Sequence, residues 1–379
     1  MPELVALDLD QGPRFPALIE EIWSRGDAVC VVDSRLRGTP RERQLATLAP
    51  TRAICEDGEE VRLRGGRGVE DGDALVMATS GSASVPRAVV HTHAAVAASA
   101  LATSRRLAVE ASTDRWLCCL PCTHIGGFSV IARALLTATP VEVQGRFDPE
   151  AVHASAANGA TLVSLVPTAL SRLEDPAAFR TIVLGGSAPP GKLPGNVVVT
   201  WGMTETGSGV VYDGRALDGV RIAAVDGQLW VKGPMLARAY RDGEPIGAVG
   251  PDGEPGWLAT GDAGAVDGGA VRVFGRIADV ITTGGEKVWP ADVERVLAAH
   301  PRVAEVAVWK RPDPEWGERV VAFVVPKGTP PSLNELRGMV VDALAPWSAP
   351  KELEIVSALP RASSGKLVRR LLESSADPA

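Results

Sequence analysis

The chain has 379 residues, enough for two or three domains at roughly 100 to 200 residues each, which excludes a single small binding module. Hydrophobic residues make up 45% and charged residues 22%, the balance of a globular protein and not of a disordered, collagenous or coiled-coil one. With 39 Lys and Arg against 46 Asp and Glu the net charge is −7, without the basic excess of a nucleic-acid binder, so any bound phosphate must be met by local groups.

From residue 28 to 201, short apolar runs alternate with Ala- and Leu-rich stretches. Residues 29–32, 74–78, 116–120, 161–166, 181–184 and 197–200 read as buried strands, and 92–109, 125–137 and 149–158 as helices. This order predicts a largely parallel sheet covered on both faces, with ligands at the loops beyond the strands' carboxyl ends. Between 207 and 275, alternating runs at 220–225, 228–231 and 270–274 are separated by Asp-Gly turns at Asp213, Asp226, Asp242, Asp252 and Asp267, the pattern of an antiparallel meander. A third texture follows: a helix opening at Pro290, strands at 303–309 and 320–325, a helix over 333–344 and a basic end. The division expected is an N-terminal domain over 1–277 and a C-terminal α+β domain over 278–379.

No apolar run approaches the ~18 residues of a membrane helix, and Met1 to Asp10 carries acids where a signal peptide carries bases. A cytoplasmic protein without stable membrane insertion is expected. Five cysteines, three of them crowded at Cys118, Cys119 and Cys122, suit reduced thiols better than a disulfide framework. Zinc wants four spaced ligands and a redox C-x-x-C should open a helix, so Cys119 to Cys122 with His124 is set aside as either.

Chemistry enters at Thr79-Ser80-Gly81-Ser82-Ala83-Ser84-Val85-Pro86-Arg87, directly after an apolar run. Hydroxyls and backbone amides on such a loop surround phosphate oxygens, and a guanidinium adds a bidentate donor. Taken alone, a Ser-rich loop is more often an ordinary turn, and no G-K-[ST] makes it a Walker loop. It resembles, however, the T-S-G-[ST]-T-G-x-P-K-G signature of the adenylate-forming acyl-CoA synthetase superfamily, and the other signatures follow in order. These are Leu120 to Gly127, Gly185-Gly186-Ser187, Trp201-Gly202-Met203-Thr204-Glu205-Thr206, Thr260-Gly261-Asp262, Gly275-Arg276 through Gly284-Gly285-Glu286-Lys287, and Pro360-Arg361 to Gly365-Lys366.

The resemblance implies an α/β fold: a large N-terminal domain of parallel sheets covered by helices with a small antiparallel β subdomain, and a smaller mobile C-terminal domain. It implies a two-step reaction in which a carboxylate attacks the α-phosphate of ATP and the acyl-adenylate passes to coenzyme A, with Mg2+ accompanying the nucleotide. Thr79, Ser80, Gly81, Ser82 and Arg87 would surround the phosphates, Gly185, Gly186 and Ser187 would approach the base, and Trp201 with Gly202 would lie against adenine. Thr204 would bond the α-phosphate and Glu205 would direct the metal, a carboxylate suiting a hard cation. Asp262 would accept both ribose hydroxyls, assisted by Arg276. Lys366 would bridge the carboxylate and α-phosphate during adenylation. His124 would stand beside the entering carboxylate; positioning is favoured over proton transfer, because a lone histidine between a strand and a helix is more often structural.

Within the superfamily, the stretches 86–99, 164–168 and 211–220 most resemble the o-succinylbenzoate-CoA ligases of menaquinone biosynthesis. On the helix after His124, Gly126, Ser129, Val130, Arg133 and Thr137 share one face. Arg133 interrupts an otherwise apolar helix, and a buried guanidinium needs an anion. The expectation is that Arg133 meets the second carboxylate of o-succinylbenzoate, with Ser208 and His124 also in the acyl site; an internal salt bridge to Asp or Glu is the equal alternative. Ala83, Ser84, Arg87 and Ala88 depart from the usual Thr, Gly, Lys and Gly of the phosphate loop, which restricts backbone freedom there. A ligase for another acid and a non-catalytic ATP- or acyl-binding homologue are the rival readings. The resemblance leaves oligomeric state open, a homodimer being one of the states it allows.

Overall fold

The computed structural model describes residues 1–79, 87–187, 191–361 and 367–376. Among these residues the strands form three sheets. The first runs, in spatial order, Ala239–Tyr240, Ala88–Thr92, Asp73–Ala78, Ala28–Val31, Leu4–Asp8, Arg52–Cys55 and Glu60–Arg62. Leu4–Asp8, Ala28–Val31 and Asp73–Ala78 are buried almost throughout and pair in parallel, as continuous apolar runs do when both faces are covered. Direction then reverses: Ala88–Thr92 lies antiparallel to Asp73–Ala78, with Ala78 opposite Ala88 and Val76 opposite Val90. The sequence predicts no strand between the run 74–78 and the helix from residue 92, and Ala88–Thr92 is one.

The second sheet is parallel from Val141–Val143 through Trp116–Cys118, Leu162–Leu165 and Thr181–Leu184 to Val197–Met203. It continues antiparallel through Ser208–Tyr212, Arg215–Ala216, Ala270–Arg276, Leu258–Asp267, Gln228–Lys232 and Arg221–Val225. The expected meander thus joins the parallel strands edge to edge through Val197–Met203, which has a parallel neighbour on one side and an antiparallel one on the other. The helix His93–Arg106 touches strands of both sheets and packs on Ile125–Leu136. Its Ala-rich sequence permits the close approach, and Thr92 caps it by accepting from Ala95 N at 3.1 Å. One core draws Val29, Leu75 and Met77 from the first sheet, Trp116, Val183 and Val211 from the second, and Phe128 and Ile131 from the helix between.

The third sheet holds Ile281–Thr283, Glu286–Val288, Val303–Asp313, Gly317–Pro326 and Glu352–Ile355. The helices Pro290–Leu297 and Leu333–Ala343 complete this part, the latter opened by a reciprocal cap between Ser332 and Glu335. Its core, which includes Ile281, Val293, Leu297, Val308, Val324 and Leu336, contains no buried residue before Ile281. The Phe274 and Trp289 rings, 5.9 Å apart, link it to the end of the second sheet. Among the described residues, no helix is long and apolar enough to cross a membrane.

Candidate active site

The strand Val197–Met203 ends in the turn Thr204–Thr206 and returns as Ser208–Tyr212, carrying Trp201, Thr204, Glu205 and Ser208 on one supersecondary unit. Gly202 is demanded by packing: a Cβ there would stand 2.1 Å from Ser208 O, at the point where the register of the pair shifts. The turn is held from the first sheet. His91 Nε2 lies 2.8 Å from Thr204 O, and because a carbonyl only accepts, the proton sits on Nε2. His91 is fully buried, its Nδ1 has no hydrogen-bond partner among the described residues, and burial pushes its pKa down to about 4, so the ring is neutral. Ala237 N donates to Glu205 O at 2.9 Å, and Tyr240 Oη donates to Glu205 Oε1 at 3.2 Å.

Trp201 leads to the expected ribose residues. Its Nε1 donates to Asp262 Oδ2 at 2.8 Å, while Arg276 Nε reaches Asp262 Oδ1 at 2.8 Å. Asp262 and Arg276 face each other across the pair Leu258–Asp267 and Ala270–Arg276, so the sheet itself sets their separation. Arg276 Nη1 also donates to Thr260 O at 2.9 Å. Gly185 and Gly186 follow the strand Thr181–Leu184; Gly186 has φ +89°, where an L side chain is strained, and Ser187 is exposed beside it. Thr79 turns its hydroxyl inward, donating to Arg87 O at 3.0 Å and closing the hairpin neck. Ser80, Gly81, Ser82 and Lys366 lie outside the described residues.

The acyl-side residues gather on the helix Ile125–Leu136. His124 precedes it, its carbonyl accepting from Gly127 N and Phe128 N, each at 3.1 Å. Burial lowers the His124 pKa, the Asp33 carboxylate opposing, so the ring is held toward the neutral form. The loop before it is clamped by Gln11, whose Nε2 donates to Leu120 O (3.1 Å) and Gln144 O (2.8 Å) while Oε1 accepts from Cys122 N (2.6 Å). Arg133 is 2% exposed. Its Nη2 donates to Ser129 Oγ (2.9 Å) and Ser208 Oγ (2.7 Å), and Nε and Nη1 have no hydrogen-bond partner among the described residues. No described carboxylate forms an ion pair with it, so the internal salt bridge weighed from the sequence is not formed among the described residues. A narrow cavity adjoins the guanidinium, lined by His91, Ser99, Ile125, Phe128, Ser129 and Gly207 among others. The five cysteines are free thiols.

Sequence reasoning missed His91, Gln11 and Tyr240. His91 falls inside the stretch 86–99 and Tyr240 in none, and the signal that marks both is a contact made at long sequence separation.

The fold and these groups define an AMP-binding, adenylate-forming enzyme: residues 67–241 match the family model for AMP-binding enzymes and residues 292–366 the model for the AMP-binding enzyme C-terminal domain. The chain is 39% identical over 337 residues to the probable 2-succinylbenzoate-CoA ligase of Mycobacterium tuberculosis, covering 82% of this chain and 86% of that one. It therefore belongs to the 2-succinylbenzoate-CoA ligase family. The Bacillus subtilis o-succinylbenzoate CoA synthetase in complex with its acyl-adenylate intermediate superposes with a TM-score of 0.83 at 27% identity, over 100% of this chain and 88% of that one. The same Bacillus enzyme in complex with ATP and magnesium superposes with a TM-score of 0.83 at 28% identity, over 98% and 89%.

Proposed function

We propose that this protein activates o-succinylbenzoate with ATP and transfers the acyl group to coenzyme A, a step of menaquinone biosynthesis. The observation that carries the substrate is Arg133: a guanidinium buried with two hydroxyls and no carboxylate among the described residues. Removing a cation from water without an anion costs several kcal/mol, and a dicarboxylic substrate supplies the missing charge. Ser129 and Ser208 fix the guanidinium plane, leaving Nε and Nη1 for the ligand.

In this reading the substrate's other carboxylate lies near His124, whose neutral ring positions it, and attacks the α-phosphate of ATP. Thr204 and Lys366 donate to the oxygens on which charge develops, and Thr79 and Arg87 frame the loop over the departing pyrophosphate. Asp262 and Arg276 hold the ribose, with Trp201 and the Gly185-Gly186 backbone against the base. A magnesium ion supplies charge neutralisation of the phosphates when bound. The residues fit it: Tyr240 engages only Glu205 Oε1, leaving Oε2 without a partner among the described residues. No described cluster of three or more His, Cys, Asp or Glu forms a closed cage, so one carboxylate would share the ion with substrate oxygens.

The reading places the enzyme in the cytoplasm, beside its ATP and coenzyme A, with the residues after 277 as a mobile domain; sedimentation would read whether it is a homodimer. Thioester formation from coenzyme A and ATP, with o-succinylbenzoate compared against benzoate and medium-chain acids, tests the substrate. Turnover with o-succinylbenzoate and little with the others is expected. Equal rates with a medium-chain acid would make it a ligase for a different acid, and no acid-dependent pyrophosphate release would make it a binding protein.

A further inference from the structure

The segment 237–240 reaches the phosphate side of the site from outside the motifs that carry the family signature. Its backbone bonds Glu205 O through Ala237 N, and its side chain bonds Glu205 Oε1 through Tyr240 Oη. The strand Ala239–Tyr240 is also paired with Ala88–Thr92, Tyr240 opposite Val89, which brings its ring beneath Arg87. The guanidinium carbon stands 3.4 Å from the ring centroid, and Nη2 meets Asp242 at 3.1 Å and Glu244 at 2.6 Å. One half-buried aromatic ring thus touches both charged groups expected at the phosphates: the cation that ends the loop on its face, and the acid of the turn at its hydroxyl.

We propose that Tyr240 is a positioning residue of the nucleotide site, its hydroxyl fixing the Glu205 carboxylate so that Oε2 faces the metal-bound phosphates and its ring seating Arg87 beside them. The inference rests on the reading that ATP binds here. A free glutamate samples many rotamers, and one bond to Oε1 together with a pinned backbone removes that freedom before the ligand arrives. A carboxylate oxygen only accepts, so in this bond the phenol is the donor and its proton lies toward Glu205. Arginine stacked on an aromatic face keeps its N–H groups in plane and open to oxygen partners, and the Asp242 and Glu244 carboxylates engage Nη2 alone.

The test is calorimetric titration of ATP into the full chain without acid substrate, in magnesium chloride and in EDTA. Tyr240→Phe keeps the ring and loses the hydroxyl, so ATP affinity should fall about 3- to 10-fold in magnesium and stay within about 2-fold in EDTA. Tyr240→Leu removes the platform as well and should weaken both titrations. Adding Tyr240→Phe to Glu205→Gln should cost nothing beyond Glu205→Gln alone, because the hydroxyl acts through that carboxylate. Wild-type affinity for Tyr240→Phe in both buffers, or an equal loss in both, would overturn the inference while the parent reading stands. A wild-type chain that binds no ATP overturns both.

Discussion

Acidification should destabilise this protein through His91. The native ring is fully buried, with Nε2 committed to Thr204 O and Nδ1 without a hydrogen-bond partner among the described residues. Burial lowers its pKa from 6.5 to about 4, so between those values the unfolded chain takes up a proton that the native chain refuses. The stability it contributes is therefore complete above pH 6.5 and is lost as pH falls toward 4. The full difference, 6.5 − 4 = 2.5 units, is worth roughly 3 kcal/mol, and the linkage relation places about 2 kcal/mol of it between pH 7 and pH 5. His91→Gln keeps an N–H donor for the Thr204 carbonyl and does not titrate. Denaturant unfolding of both proteins at the two pH values isolates the residue, because every other group cancels in the difference. The wild type should lose about 2 kcal/mol more than the variant on going to pH 5. Equal losses would show that His91 is not buried as a neutral ring.

Arg133→Ala should raise KM for o-succinylbenzoate by about 100-fold or more with KM for ATP little changed, the cost of removing one partner of a buried charge pair; an unchanged KM would remove this residue from substrate recognition. Trp201→Phe deletes the indole N–H that Asp262 accepts at 2.8 Å, and ATP KM should rise about 10-fold, read by pyrophosphate release at saturating acid. Lys366→Ala should abolish adenylation yet leave thioester formation from supplied acyl-adenylate largely intact; equal loss of both half-reactions would refute the assignment of Lys366 to adenylation.

What the sequence revealed and what it hid follow from the range of the interactions involved. Buried strands such as Leu162–Leu165 and Thr181–Leu184 announce themselves as unbroken apolar runs, and the helix after Thr92 by its Ala-rich composition. The strand Leu258–Asp267 escaped because Gly261, Asp262 and Gly264 are poor strand formers, tolerated at a register shift between Ala263 and Gly264. Ala88–Thr92 escaped because its partner lies across the Ser-rich loop, and pairing across a loop leaves no local period. The same division runs through the site. Trp201, Glu205, Asp262 and Arg276 stood out by motif. Their supports did not: His91 is 113 residues from Thr204, Tyr240 is 35 from Glu205, and Gln11 is 111 from Cys122. Arg133 was legible as a charge out of place on an apolar helix, with Ser129 on its face and Ser208 expected in the same site, whereas the direct bond from its guanidinium to Ser208, 75 residues away, required the fold.

The unbroken run of the second sheet bears on how the nucleotide would be kept. Trp201 stands on the strand where pairing changes sense, and Asp262 and Arg276 stand on the antiparallel strands annealed to it through Ser208–Tyr212 and Arg215–Ala216. Base and sugar would then be gauged by a single stiff ruler, whose length would stay constant if the smaller half of the chain swings as proposed. On the proposed mechanism the activated intermediate could wait at one address while the machinery that makes it departs and the machinery that consumes it arrives.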